Sequence, residues 1–183
     1  MSGKTKKPML SEAQVEQGLR EVAALAKASK TEILLVGGVA MHLYGSDRLT
    51  GDLDFAASQQ VKGLPPAGVL SFGGYQSKSP SGIPVDLIIR DDDYKGLYES
   101  ALKSPASFED CPVKVVDPEH LVAMKMVARR PKDEVDLATL LGLGVVNHAR
   151  ATRLVKKLLG TYAADDLRSH IEYAEFLKSR QKD

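Results

Sequence analysis

The sequence predicts an α+β (α/β) fold: a small mixed β-sheet flanked by helices, followed by a helical C-terminal part. Three observations predict it. A capped amphipathic run opens the chain at Ser11. Short apolar runs of strand length, separated by glycine and proline, fill the stretch between residues 31 and 116. From Asp117 onward the pattern is helical to the end. One helix, a strand-rich centre and a helical last third fit one mixed sheet better than two separate layers of a single type.

Each element has its own warrant. Ser11-Glu12-Ala13-Gln14 is a capping-box pattern, and Val15, Leu19, Val22 and Ala26 follow at helical spacing. Thr31 to Val36 reads as a short buried strand. Gly37-Gly38 then permits a sharp turn, because glycine reaches backbone angles that other residues avoid. Val39 to Tyr44 suits a short helix ended by Gly45, and Leu53 to Ala56 a second strand. Val69 to Phe72 and Tyr75 to Lys78 suggest a hairpin about Gly73-Gly74. Val85 to Ile89 is a strong strand, and Cys111 to Val116 alternates as a last one. Asp117-Pro118 starts a helix, the aspartate as cap and the proline where its missing N–H costs nothing. Helices are expected over 118–129, 132–142, 147–159 and 165–179, divided by Pro131, Gly142, Gly144 and Gly160. The organisation expected is a disordered basic tail over 1–10, an α/β core over 11–117 and a packed helical region over 118–183.

Composition narrows the function classes. The chain has 183 residues with a net charge of +1, so no global field draws it to nucleic acid or membranes. A single cysteine, Cys111, forbids an internal disulfide and points to a reducing compartment. No apolar run approaches the roughly 20 residues that span a bilayer, and the start lacks the apolar core of a signal peptide. A cytoplasmic protein with no membrane partner is expected.

The chemistry lies in three aspartates. Asp52 and Asp54 alternate along a strand and so point to one face, while Leu53 and Phe55 point to the other. Asp86 interrupts the apolar run Val85-Asp86-Leu87-Ile88-Ile89. Carboxylates brought together repel unless a cation lies between them, and hard divalent cations prefer oxygen ligands. Gly37-Gly38, between a strand and a helix, is a turn that can present backbone N–H groups to a phosphate.

The run Val36, Gly37, Gly38, thirteen residues, Asp52, Leu53, Asp54, Phe55 resembles the signature of the polymerase-beta-like nucleotidyltransferase superfamily, with Asp86 as its third acid. The variant with Arg48-Leu49-Thr50 before the acids is most similar to the minimal bacterial branch that includes the abortive-infection type IV toxins. The stretch from Asp117 to Leu141 also resembles that branch. The antibiotic-modifying relatives carry Gly-Ser where this chain has Gly-Gly.

The resemblance implies a nucleotidyltransferase fold holding two Mg²⁺ ions, or Mn²⁺ in their place. Asp52, Asp54 and Asp86 would be the metal-binding and catalytic residues. Gly37, Gly38, Arg48, Thr50 and Lys125 would bind the nucleotide. An NTP would give up its NMP to a hydroxyl on tRNA, a protein or a small molecule, and pyrophosphate would leave. A toxin role with an antitoxin partner follows from the same branch. Two alternatives remain open from the residues: a noncatalytic nucleotide- or partner-binding domain of the same fold, and a metal-dependent phosphohydrolase. Asp136 is expected to support Lys125 or Arg129, and His42 and His120 to be structural or surface residues.

Overall fold

The computed structural model describes residues 8–180. Helix α1 (Glu12–Ala28) begins at Ser11, whose side chain accepts from the Gln14 N–H while the Gln14 side chain accepts from the Ser11 N–H. The expected capping box is therefore formed, and Leu19, Val22 and Ala26 are buried on its apolar face. Strand β1 (Ile33–Val36) runs directly into α2 (Gly37–Leu43), and β2 (Leu53–Ala57) follows. The hairpin β3 (Gly68–Val69) and β4 (Tyr75–Lys78) precedes β5 (Pro84–Ile88) and α3 (Lys95–Lys103). Four helices complete the chain: α4 (Pro118–Ala128), α5 (Pro131–Gly142), α6 (His148–Leu159) and α7 (Thr161–Arg180).

The strands form one mixed sheet in the order β1-β2-β5-β4-β3. β2 pairs antiparallel with β1 and parallel with β5, and the remaining pairs are antiparallel. The register decides the site. Val36 stands opposite Asp54, Asp54 opposite Asp86, and Asp86 opposite Gln76. One row across the middle of the sheet thus carries two of the three acids on adjacent strands.

One apolar cluster runs from Leu19 of α1 through the sheet to Ala174 of α7. Helix α4 is central to it: every residue from Glu119 to Met126 is buried, and it packs on α3, α5 and α6. Its polar members need partners at that depth. Glu119 accepts from the Asn147 N–H at 2.9 Å. His120 is held by Asp117 at 2.8 Å and by Ser100 at 2.9 Å, so it is structural, as expected. Among the described residues, no helix is long and apolar enough to cross a membrane.

The structure corrects several boundaries. Cys111–Val116 is not a strand. Val115 makes only isolated bridges, to Leu35 and to Ala106, because Pro112 cannot donate to a ladder and Asp117 already caps a helix. Helix α3 was not expected from the sequence. Leu97, Tyr98, Ala101 and Leu102 share one face, but the helix has only nine residues and no side-chain cap to mark its start. The first hairpin strand covers Gly68–Val69 instead of Val69 to Phe72. Residues 1–7 of the expected tail and 181–183 of the helical region lie outside the described residues. At the end of that tail, the Leu10 N–H donates to the Thr50 carbonyl at 2.9 Å, which ties the chain to the segment carrying the acids.

Candidate active site

The diglycine is needed because the acid-bearing segment presses on it. Gly37 has φ +67°, and a Cβ there would fall 2.0 Å from Asp54 Oδ2. A Cβ on Gly38 would fall 2.8 Å from Thr50 Cβ. Both glycines make room for that segment, and the Gly38 N–H donates to the Asp54 carboxylate. That amide therefore positions an acid. The helix after it, α2, has only seven residues.

Asp54 and Asp86 face each other from parallel strands, and Asp52 stands just ahead of β2. Thr50 Oγ1 donates toward Asp52, with its carbonyl at 3.1 Å and its Oδ1 at 3.2 Å. Gln76 Nε2 donates to Asp86 Oδ1 at 3.4 Å. Burial, then the charges of Asp52 and Asp86, push the Asp54 carboxyl up from 3.8 to about 7, against the Gly38 hydrogen bond and Lys125.

Opposite the acids stands a basic wall. Lys125 is buried and donates to Asp133 at 3.2 Å and to Asp136. Arg48 donates to the same Asp136. Arg130 reaches Asp133 through Nε at 2.6 Å and Nη2 at 3.1 Å. Burial alone would raise the Asp133 carboxyl, but the Arg130 hydrogen bonds and the Lys125 charge hold it below its usual range. Three cations here share two carboxylates, which leaves positive charge facing the acids. Arg129, by contrast, turns away to Asp166 at 3.2 Å. The abrupt turn between α4 and α5, with Arg129 left-handed at φ 48°, brings Asp133 and Asp136 back onto Lys125.

The two sides enclose a cleft of about 510 Å³. Of the eight residues expected from the sequence, seven line it: Gly37, Gly38, Arg48, Asp52, Asp54, Asp86 and Lys125. Thr50 does not; it sits behind, bracing Asp52 against Gly38. The sequence reading missed the far end, where Arg90 lies 6.0, 5.1 and 5.5 Å from the ring centres of Phe72, Tyr94 and Tyr98. Arg90 is also held by Asp92, through Nε at 2.9 Å and through Nη2. A signal for it existed: Asp86, Ile88 and Arg90 alternate, so they share one face. It missed Arg130 and Lys132 as cleft residues because nothing local says which way a new helix will turn.

The donor chemistry suits a hard divalent cation. Asp54 stands opposite Asp86 with Asp52 two residues away, and the Asp54 carboxyl resists ionising without a positive partner. Among the described residues, no group of three His, Cys, Asp or Glu side chains forms a ready-made metal cage. Mg²⁺ does not need one, since it commonly takes one or two carboxylates and completes its shell with waters and substrate phosphates.

No protein-family model and no curated protein matches the chain. Solved structures do. The antibiotic-resistance factor ANT(2'')-Ia superposes with a TM-score of 0.51 at 14% identity, covering 94% of this chain and 100% of that one. The chain has a nucleotidyltransferase fold. An antigenic nucleotidyltransferase-like protein from Paracoccidioides brasiliensis is also similar, with a TM-score of 0.49, 17% identity, and coverage of 90% and 95%.

Proposed function

We propose that this protein is a metal-dependent nucleotidyltransferase that moves a nucleoside monophosphate from an NTP to a hydroxyl acceptor. The observation that carries the reading is the register of Asp54 and Asp86 on neighbouring parallel strands, facing a basic wall across one cleft. Asp52, Asp54 and Asp86 would hold Mg²⁺ or Mn²⁺. Bound there, such ions would offset charge on the attacking and leaving oxygens. Asp86 accepts the proton of the acceptor hydroxyl, and the net positive charge of the wall carrying Arg48, Arg130 and Lys132 draws in the polyphosphate. The likeness of the motif to abortive-infection type IV toxins extends the proposal to a toxin restrained by an antitoxin, with tRNA, a protein or a small molecule as acceptor.

The test uses α-labelled NTPs with Mg²⁺ and candidate acceptors. Label transfer with pyrophosphate release is expected from the wild type. Asp54→Asn should lower it by about a hundred- to a thousandfold, the scale on which a preorganised electrostatic group counts. Undiminished transfer by the folded variant would overturn the reading.

A further inference from the structure

Five cationic side chains line the cleft, and four of them are already committed. Arg48 is paired with Asp136, Arg90 with Asp92, Lys125 with Asp133 and Asp136, and Arg130 with Asp133. Among the described residues, Lys132 makes no ion pair. It is exposed, at the start of α5 beside Arg130 and Asp133, and it lines the same cleft. Its surroundings are uncomfortable for a cation. Partial desolvation and the charges of Arg130 and Arg48 pull its ammonium below the usual lysine range, and only Asp54 and Asp133 pull it back.

An exposed ammonium on a flexible stem, crowded by like charge and open to the cleft, has everything but its anion. Lys125 is in the opposite position. Its ammonium is fixed between two buried carboxylates, and leaving them would strand both charges in a desolvated site. From that contrast we infer that Lys132, and not Lys125, is the side chain that contacts the donor's polyphosphate. Lys125 is a positioning residue that locks α5 to α4 and so sets where Lys132 stands. A polyphosphate between Arg130 and Lys132 relieves the repulsion between them. This rests on the nucleotidyltransferase reading, because it assigns a contact to that reaction's donor.

The experiment is titration calorimetry of the full chain with each of ATP, GTP, CTP and UTP in Mg²⁺, and with the matching monophosphates. The variants are Lys132→Met, Lys132→Arg and Lys125→Met. Losing one charge-assisted contact should weaken the preferred triphosphate by about tenfold or more. Its monophosphate should be unaffected, and Lys132→Arg should recover most of the loss. The melting temperature should stay at the wild-type value in both Lys132 variants and fall in Lys125→Met. Unchanged triphosphate affinity in Lys132→Met would overturn the assignment and leave the nucleotidyltransferase reading standing. Equal weakening of tri- and monophosphate would overturn the polyphosphate contact. If the wild type binds none of the four triphosphates, both the assignment and the reading beneath it fail.

Discussion

Asp54 carries the clearest consequence of a single residue's surroundings. Its carboxyl is raised from 3.8 to about 7 by burial and by Asp52 and Asp86. The native state therefore holds this proton more tightly than the unfolded state does. Stability is independent of the group below about pH 4, falls as pH rises through the interval, and carries the full penalty above pH 7. At about 1.4 kcal/mol per unit the penalty has a ceiling on the order of 4 kcal/mol. In EDTA, the melting temperature of Asp54→Asn should rise relative to wild type between pH 4 and pH 8. A gap that stays constant with pH would contradict the assignment. The same residue shows what a sequence holds at this scale. The alternation of Asp52 and Asp54, and the intrusion of Asp86 into an apolar run, are local facts. That Asp54 and Asp86 are partners is not local, because it depends on a parallel pairing across an intervening hairpin. Gln76, opposite Asp86, was invisible for the same reason.

Among the elements, those with strong local punctuation were legible. Helix α1 has its capping box, and α4 has Asp117 as cap with Pro118 behind it. Asp117 does more than cap. Its carboxylate accepts from the His120 N–H and from the imidazole, both at 2.8 Å, and from Arg150 at 3.4 Å. Against the opposing effect of burial, the His120 contacts hold that carboxyl low. Asp117→Ala should therefore cost more than an ordinary cap, about 2–4 kcal/mol once the stranded buried His120 is included. Asp117→Asn should keep the cap and lose less. Urea denaturation of both variants measures the difference, and equal costs would show that the cap alone matters. The elements that escaped the sequence reading are those held by tertiary contacts. Helix α3 is short and has no side-chain cap, and the Val115 segment is extended only where Leu35 and Ala106 meet it.

At the scale of the whole molecule, the core ignores the division at residue 117. The apolar cluster joins α1 and the sheet to α4, α6 and α7, and the cleft takes Lys125 and Arg130 of its basic wall from the helical region while Arg48 and the acids come from the part before it. Heating should produce one cooperative transition, with calorimetric and van't Hoff enthalpies in agreement. Two resolved transitions would show that the parts before and after residue 117 fold separately.

The sequence by itself determined the fold class, most of the element types, the acids and the diglycine beside them, because helix periodicity, strand alternation and glycine freedom act over a few neighbouring residues. Only the tertiary structure decided which charges are spent and which remain. The resemblance singled out Lys125 for the nucleotide, and nothing local set Lys132 apart. The left-handed turn at Arg129 swings α5 so that two aspartates close on Lys125 and leave Lys132 facing the cleft. The pairing energy of charges depends on distances between helices, which no local pattern encodes.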